Sequence, residues 1–295
     1  MAKIALLKGN QPNEKSEAYA TFRGLSEIAQ DQYELIPYAD LVFSISDDGV
    51  AIAYDEVDLK DFDLVYIRDF QGYEFERNAI AQYLAHTGTK FLNTDVAQFQ
   101  HISKLTQYMA FSFSDVAIPR TLFAKGDVLV SAVLKNFSFP VILKSITGNS
   151  GKDNFMIESA SELNETLDTH KGIKFIVQEF IPNQGDLRMI VLGDSVTCIS
   201  SRVRKSGDHR NNIALGGDKT YLDSITVDEA HQQLAIKAAK AVGREICGVD
   251  VMVNDTTGSA VILEANFNFG IRAISDGLPR ELYGLADYLH KKAKH

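Results

Sequence analysis

Short apolar runs alternate with longer amphipathic stretches along this chain, and that alternation restricts the fold more than any other feature. "KIALL" (3–7) reads as a buried strand and 14–30 as a helix. "LVFSISDDGVAIAY" (41–54) reads as two strands turning at Asp47-Asp48-Gly49. "FDLVYIRDF" (62–70), a helix near 75–87 and the short strand "KFLN" (90–93) complete a first α/β unit. Residues 95–115 read as a bridging helix. Strands then follow at "RTLFA" (120–124), "FPVILKS" (139–145), "FMIES" (155–159) and "KFIVQEFI" (174–181), with helices over 127–136 and 161–170. A third unit opens with the hairpin "LRMIVLGDSVTCISSRVR" (187–204), turning at Gly193-Asp194, and continues as a loop over 206–219. Thr226 and Glu229 spell a capping box before a helix to about 242. "GVDVMVNDTTGSAVILEAN" (248–266) reads as strand, turn, strand, and a helix over 279–293 ends on Lys291, Lys292 and Lys294, suited to its dipole. The class is α/β.

Composition narrows the function. A net charge of −9 and a pI near 5.3 argue against nonspecific nucleic-acid binding. Cys198 and Cys247 form no C-x-x-C pair, which disfavours a disulfide framework or a cysteine zinc site and fits a reducing, cytoplasmic setting. No run approaches the ~18 apolar residues of a membrane span, and "MAKIALLKGN" reads as a first strand, too short for a signal peptide.

The chemistry gathers in "VILEANFNFG" (261–270). Alternate strand residues share a face, so Glu264 and Asn266 point together. With the turn centred near Thr256-Thr257, Asp250 falls opposite or nearly opposite Glu264. Two carboxylates in otherwise apolar strands repel unless a cation joins them, and oxygen-only ligands favour Mg²⁺ or Mn²⁺. An exposed polar face on an edge strand is the competing reading.

Three further elements are each weak alone. Lys144 ends an apolar strand before the glycine-containing "ITGNSGKDN" (146–154), where side chain and loop amides could meet a phosphate. Neither a P-loop nor a G-x-G-x-x-G spacing is present. "VQEFI" (177–181) breaks at Pro182 and could offer its backbone to an adenine edge and Glu179 to a ribose. "RKSGDHRNN" (204–212) carries Arg210, Asn211 and Asn212, suited to charge developing on a transferred phosphoryl group. Surface turns, strand ends and a solvated basic loop are the plain alternatives. Arg68, ending "LVYIR", could take an acidic substrate or make a surface ion pair. Cys247 reads as a core filler, and no G-x-S-x-G elbow supports a serine hydrolase.

Taken in order, a strand-end Lys, a glycine loop, "VQEFI", "DLR", an Arg-Asn-Asn loop, "GVD" and "LEAN" resemble the ATP-grasp superfamily. The chain is most similar to RimK-type glutamate ligases, among the glutathione synthetase-like carboxylate–amine ligases. The likeness covers roughly 100–270. It implies an α+β ATP-grasp fold, with a small N-terminal α/β pre-ATP-grasp domain over 1–97. A central lid subdomain over 98–178 and a catalytic subdomain over 179–295 would then clamp ATP. The resemblance also assigns roles. Lys104 and Lys144 match the lysines on the ATP phosphates. Glu179, Phe180 and Ile181 match the adenine-side hinge, Asp186 the ribose contact and Arg188 the D-x-R arginine. Arg210, Asn211 and Asn212 match the γ-phosphate loop, and Asp250, Glu264 and Asn266 match the ligands of Mg²⁺ or Mn²⁺, two ions being expected. Arg210 and Lys144 are the catalytic candidates.

The implied reaction activates a carboxylate as an acyl phosphate with release of ADP, and an amine then displaces phosphate. The partners implied are a small-molecule or peptide carboxylate and an amine acceptor such as an amino acid, with no nucleic acid or membrane. Homo-oligomerisation is left open. Residues 146–154 would act as a lid that excludes water. The sequence departs from the family at Phe267-Asn268-Phe269-Gly270, where small residues usually follow Glu-x-Asn. A regulatory ATP-binding protein without ligase activity and a small-molecule phosphotransferase are the alternatives.

Overall fold

The structure is a computed structural model that describes residues 1–9, 16–28, 30–47, 49–68, 72–94, 96, 103–147, 153–203, 218–266, 269, 271 and 278–295. The first sheet forms around β1 (Lys3–Lys8), which follows the apolar run at the N-terminus. After α1 (Glu17–Ile28) the chain enters β2 (Gln32–Pro37), which pairs in parallel with β1. An antiparallel trio follows: β3 (Val42–Ser46), β4 (Gly49–Tyr54) and β5 (Val57–Asp58). The first hairpin closes at the Ser46–Gly49 pair, at the expected turn. Then come β6 (Leu64–Ile67), α2 (Glu74–Thr87) and β7 (Phe91–Leu92), giving a parallel sheet in the order β2-β1-β6-β7. Parallel strands are covered on both faces. Ile4 and Leu6 face a cluster shared with the C-terminal helix, and Ala5 and Leu7 face one shared with α2.

The middle of the chain contains α3 (Lys104–Phe113), β8 (Thr121–Phe123), α4 (Gly126–Asn136), β9 (Val141–Ser145), β10 (Asn154–Ile157), α5 (Ala160–Thr169) and β11 (Phe175–Glu179). Its antiparallel sheet runs β10-β9-β11-β8. Val141, Leu143, Phe175 and Val177 bury one face under α4 and α5. By period-two alternation the other face carries Ile142, Lys144, Ile176 and Gln178. That face is turned toward α3, because Ile176 shares a cluster with Tyr108 and Phe111.

The third sheet, order β14-β13-β12-β15-β16, is antiparallel. Its members are β12 (Gly185–Leu192), β13 (Ser195–Val203), β14 (Asp218–Leu222), β15 (Ile246–Val253) and β16 (Ala260–Asn266), with α6 (Glu229–Ala241) and α7 (Arg280–Lys294). Met189, Val191, Val249 and Val251 pack under α6, while Ile190, Leu192 and Ile246 meet α7 and the first sheet. Cys247 is fully buried in β15, as expected of a core filler.

Three sequence expectations change. β2 and β14 were not anticipated. "QYELIP" and "DKTYL" mix polar with apolar residues, and each is made a strand by its neighbour, β1 or β13. The capping box at Thr226 does not form. Asp228 is the N-cap, its Oδ1 accepting from the Ala230 N–H at 2.8 Å, while the Thr226 hydroxyl donates to Asp223 O at 2.7 Å in a preceding 3₁₀ turn. The bridging helix begins at Lys104 rather than 95 within the described residues, set by a reciprocal Ser103–Thr106 cap.

Candidate active site

The β15–β16 hairpin brings the two carboxylates together. Asp250 pairs with Glu264 and Gly248 with Asn266, so Asp250, Glu264 and Asn266 share one face. A register shift after Asp250 puts Val251 opposite Ile262 and leaves Leu263 as the extra residue. Such a bulge re-aims the side chains beyond it. It also frees Leu263 O, which accepts from Tyr108 OH at 2.5 Å.

The outer edge of β16 is closed by α3. Gln107 accepts from the Ala265 N–H at 3.0 Å and donates to Ala265 O at 2.9 Å. The amide thus replaces a missing neighbouring strand, which an unpaired edge would otherwise invite. Tyr108 OH also lies 3.3 Å from Gln178 of β11, tying the middle sheet to the third. Gln107 and Tyr108 were not singled out from the sequence. Only the helical spacing that places both beside Lys104 could have drawn attention to them.

Charge is dense here. Lys104, at the start of α3, puts Nζ 3.3 Å from Glu264 Oε1. Arg188 of β12 stands opposite Asp250 and its Nη2 donates to Asp250 Oδ2 at 3.1 Å. Arg188 lies over Gly248, where a Cβ would come within 2.8 Å of its Nη1 and 2.5 Å of Phe269 Cβ. Arg202 of β13, which the sequence reading missed, joins the two aspartates. It grips Asp186 through Nε and Nη2, both at 2.6 Å, and reaches Asp250 Oδ1 at 2.9 Å. The β12–β13 hairpin pairs Asp186 with Arg202, although a bulge at Ile190/Val191 hides that register from simple counting.

Lys144 sits on the inner face of β9. Burial draws its amine down to about 8 against the pull of Glu264, Asp186 and Asp250, with Lys104 adding repulsion. Burial also pushes the Asp186 carboxyl up to about 6, Arg202 pulling the other way. A desolvated ammonium facing a second lysine needs more negative charge than the carboxylates provide. A polyphosphate would supply it.

The remaining candidates lie around this centre. Glu179 is exposed at the end of β11. Its Oε1 accepts from the Arg120 N–H at 2.8 Å, so the carboxylate is engaged with the neighbouring strand. Phe180 is half-buried, and Ile181 is buried with its carbonyl accepting from Asn183 Nδ2 at 2.8 Å. Arg210, Asn211, Asn212, most of the glycine loop and Phe267, Asn268 and Gly270 lie outside the described residues. Phe269 is buried in the cluster between the first and third sheets, which gives it a packing role. Arg68 is buried rather than on a surface ion pair.

Two carboxylates and an amide oxygen form the hard donor set that Mg²⁺ prefers. Among the described residues no group of three or more His, Cys, Asp or Glu could hold a metal, so an ion at Asp250 and Glu264 would complete its shell with phosphate oxygens and water. No helix of the described residues is long and apolar enough to cross a membrane.

Comparison with known proteins gives a consistent result. Residues 101–282 match the RimK-like ATP-grasp domain. A probable alpha-L-glutamate ligase of Shewanella loihica is 27% identical over 99% of this chain and 96% of its own. The fold is similar to the ATP-grasp ligase PsnB complexed with minimal precursor, Mg and ADP, with TM-score 0.75, 15% identity and coverage of 99% and 98% of the two chains. It is also similar to a RimK domain ATP-grasp protein of Sphaerobacter thermophilus, with TM-score 0.60, 21% identity and coverage of 99% and 98%. The chain therefore belongs to the RimK-like ATP-grasp family and is an ATP-grasp carboxylate–amine ligase.

Proposed function

We infer that this ligase uses L-glutamate as one of its two organic substrates, joining it to a peptide or a small acid. The name shared by its curated relatives supports glutamate. The observation that carries the site is the convergence of half-buried, desolvated Lys144 with the opposed Asp250 and Glu264. Bound MgATP supplies the phosphoryl group that activates the carboxylate for attack by the amine. Lys104 and Lys144 neutralise its phosphates, and Asp250, Glu264 and Asn266 hold two Mg²⁺ ions. Arg188 and Arg202 fix the Asp250 carboxylate, and Asp186 serves the ribose. Glu179, Phe180 and Ile181 flank the adenine. Arg210, Asn211 and Asn212 meet the transferred phosphoryl group. The division into 1–97, 98–178 and 179–295 is proposed with it: the first range holds the parallel sheet and the antiparallel trio, the second all of the middle sheet but Glu179, and the third the remaining sheet. α3, from the middle range, lies along β16.

The test is ADP and phosphate release from MgATP against pools of amino acids, dipeptides and small acids, with mass spectrometry of products. A product equal to acid plus amine less water, formed only when glutamate is present, is the expected result. Turnover that never requires glutamate would remove the glutamate assignment.

A further inference from the structure

Two cations at the carboxyl ends of β1 and β6 are not used by the nucleotide site. β1 and β6 are parallel neighbours, with Leu6 opposite Tyr66 and Leu7 opposite Ile67. One step further in that register, Lys8 and Arg68 stand side by side. Ile4, Leu6, Leu64 and Tyr66 all face the cluster between the first and third sheets, so alternation sends Lys8 and Arg68 to the same side. The Arg68 guanidinium lies 5.7 Å from the Tyr66 ring, which agrees. Lys8 is 2% exposed and Arg68 6%. Arg68 Nε has no hydrogen-bond partner among the described residues. Its carbonyl is held by Tyr38 OH at 3.1 Å, and Tyr38 stacks on Tyr73.

The location is specific. The chain passes from β1 to β2 on one side and then crosses to β6 on the other. Strand order reverses between β1 and β6, and open parallel sheets take ligands beyond the carboxyl ends at such a point. An anion placed between two adjacent cations is attracted by both. Phe269 and Ile271, which follow Asn266 closely, pack in the same cluster. Lys8 and Arg68 therefore lie on the side of the first sheet that packs against β12, β15 and the residues just beyond the end of β16.

We propose that Lys8 and Arg68 bind a non-reacting carboxylate of the organic substrate, and so select substrates that carry a second carboxylate. Arg68 offers a planar fork that matches a carboxylate, and Lys8 adds a point charge. This inference rests on the ligase assignment but not on glutamate in particular. A dicarboxylic acid and an acidic amino acid present the same group.

The test reads binding, which does not require turnover. The full chain with MgADP is titrated calorimetrically with L-glutamate, glutarate and L-glutamine. The native protein is expected to bind glutamate or glutarate at least about 10-fold more tightly than glutamine. Arg68→Met is expected to weaken that binding about 10–100-fold, the range of a charged hydrogen bond. Arg68→Lys keeps the charge but loses the fork, and a smaller loss is expected. MgADP affinity stays unchanged in both variants. Binding of glutamate alone assigns the subsite to the amine substrate, and binding of glutarate alone to the acid. Equal binding of glutamine, no binding of either carboxylate, or native affinity in Arg68→Lys and Arg68→Met overturns the proposal. If Arg68→Met does not fold, Arg68→Lys decides. Failure of the ligase assignment shows separately, as absent ADP release while carboxylate binding persists.

Discussion

Lys144→Met isolates the conflict between stability and nucleotide binding. In the folded protein the Lys144 amine is drawn from its ordinary 10.5 to about 8, chiefly by desolvation. At about 1.4 kcal/mol per pH unit, keeping it charged costs the folded state roughly 3 kcal/mol. The sign follows from proton linkage. Between pH 8 and 10.5 the unfolded chain binds more protons, so stability rises with pH there, and the full penalty is present below 8. Lys144→Met removes the penalty. Without nucleotide at pH 7.5 it is expected to melt roughly 6 °C above the native protein, at roughly 2 °C per kcal/mol for a chain of this size. By pH 10 most of that gap should close. The same variant loses a charged phosphate contact, so MgATP affinity is expected to fall about 10–100-fold. The native protein, titrated with MgATP at pH 8.5 in buffers of different ionisation enthalpy, should take up roughly three-quarters of a proton, because phosphate recharges Lys144. Scanning calorimetry and titration calorimetry measure all three. A Lys144→Met protein that melts at or below the native one at pH 7.5, with a gap insensitive to pH, would refute the reasoning.

Other consequences test the frame around that lysine. Glu264→Gln removes one of two opposed carboxylates and is expected to raise the Mg²⁺ needed for ATP binding by about 10-fold or more; unchanged ATP affinity at limiting Mg²⁺ would contradict the metal assignment. Gln107→Leu leaves the Ala265 N–H without its partner, whereas Ala265 O keeps Arg244. A loss of about 1–3 kcal/mol in denaturant unfolding is expected. Gly248→Ala drives a methyl into Phe269 and Arg188. Overpacking of about 1–3 kcal/mol should accompany weaker MgATP binding as Arg188 is displaced from Asp250, read by melting and titration together.

Much of the site was legible because strands impose a period of two. The face shared by Glu264 and Asn266, and the near-opposition of Asp250, follow from a short hairpin whose turn lies close in sequence. The capping of α6 was misread because Thr226 and Asp228 both offer a side-chain oxygen, and the choice between them depends on the path of the preceding turn. In the sequence Phe269 reads only as a departure from the small residues that usually follow Glu-x-Asn. Its burial between two sheets could not be known before the first sheet was placed against the third.

The sequence alone therefore determined the α/β class, the order of the motifs and the shared face of the carboxylates, since each depends on residues within a few positions of one another. The tertiary structure alone decided that Lys104 reaches Glu264 across 160 residues and that Arg202 ties Asp186 to Asp250. It also decided that Lys144, half-buried between charged neighbours, is desolvated enough for its amine to be drawn down to about 8. Desolvation and long-range pairing depend on how separate sheets pack, and no local pattern encodes them.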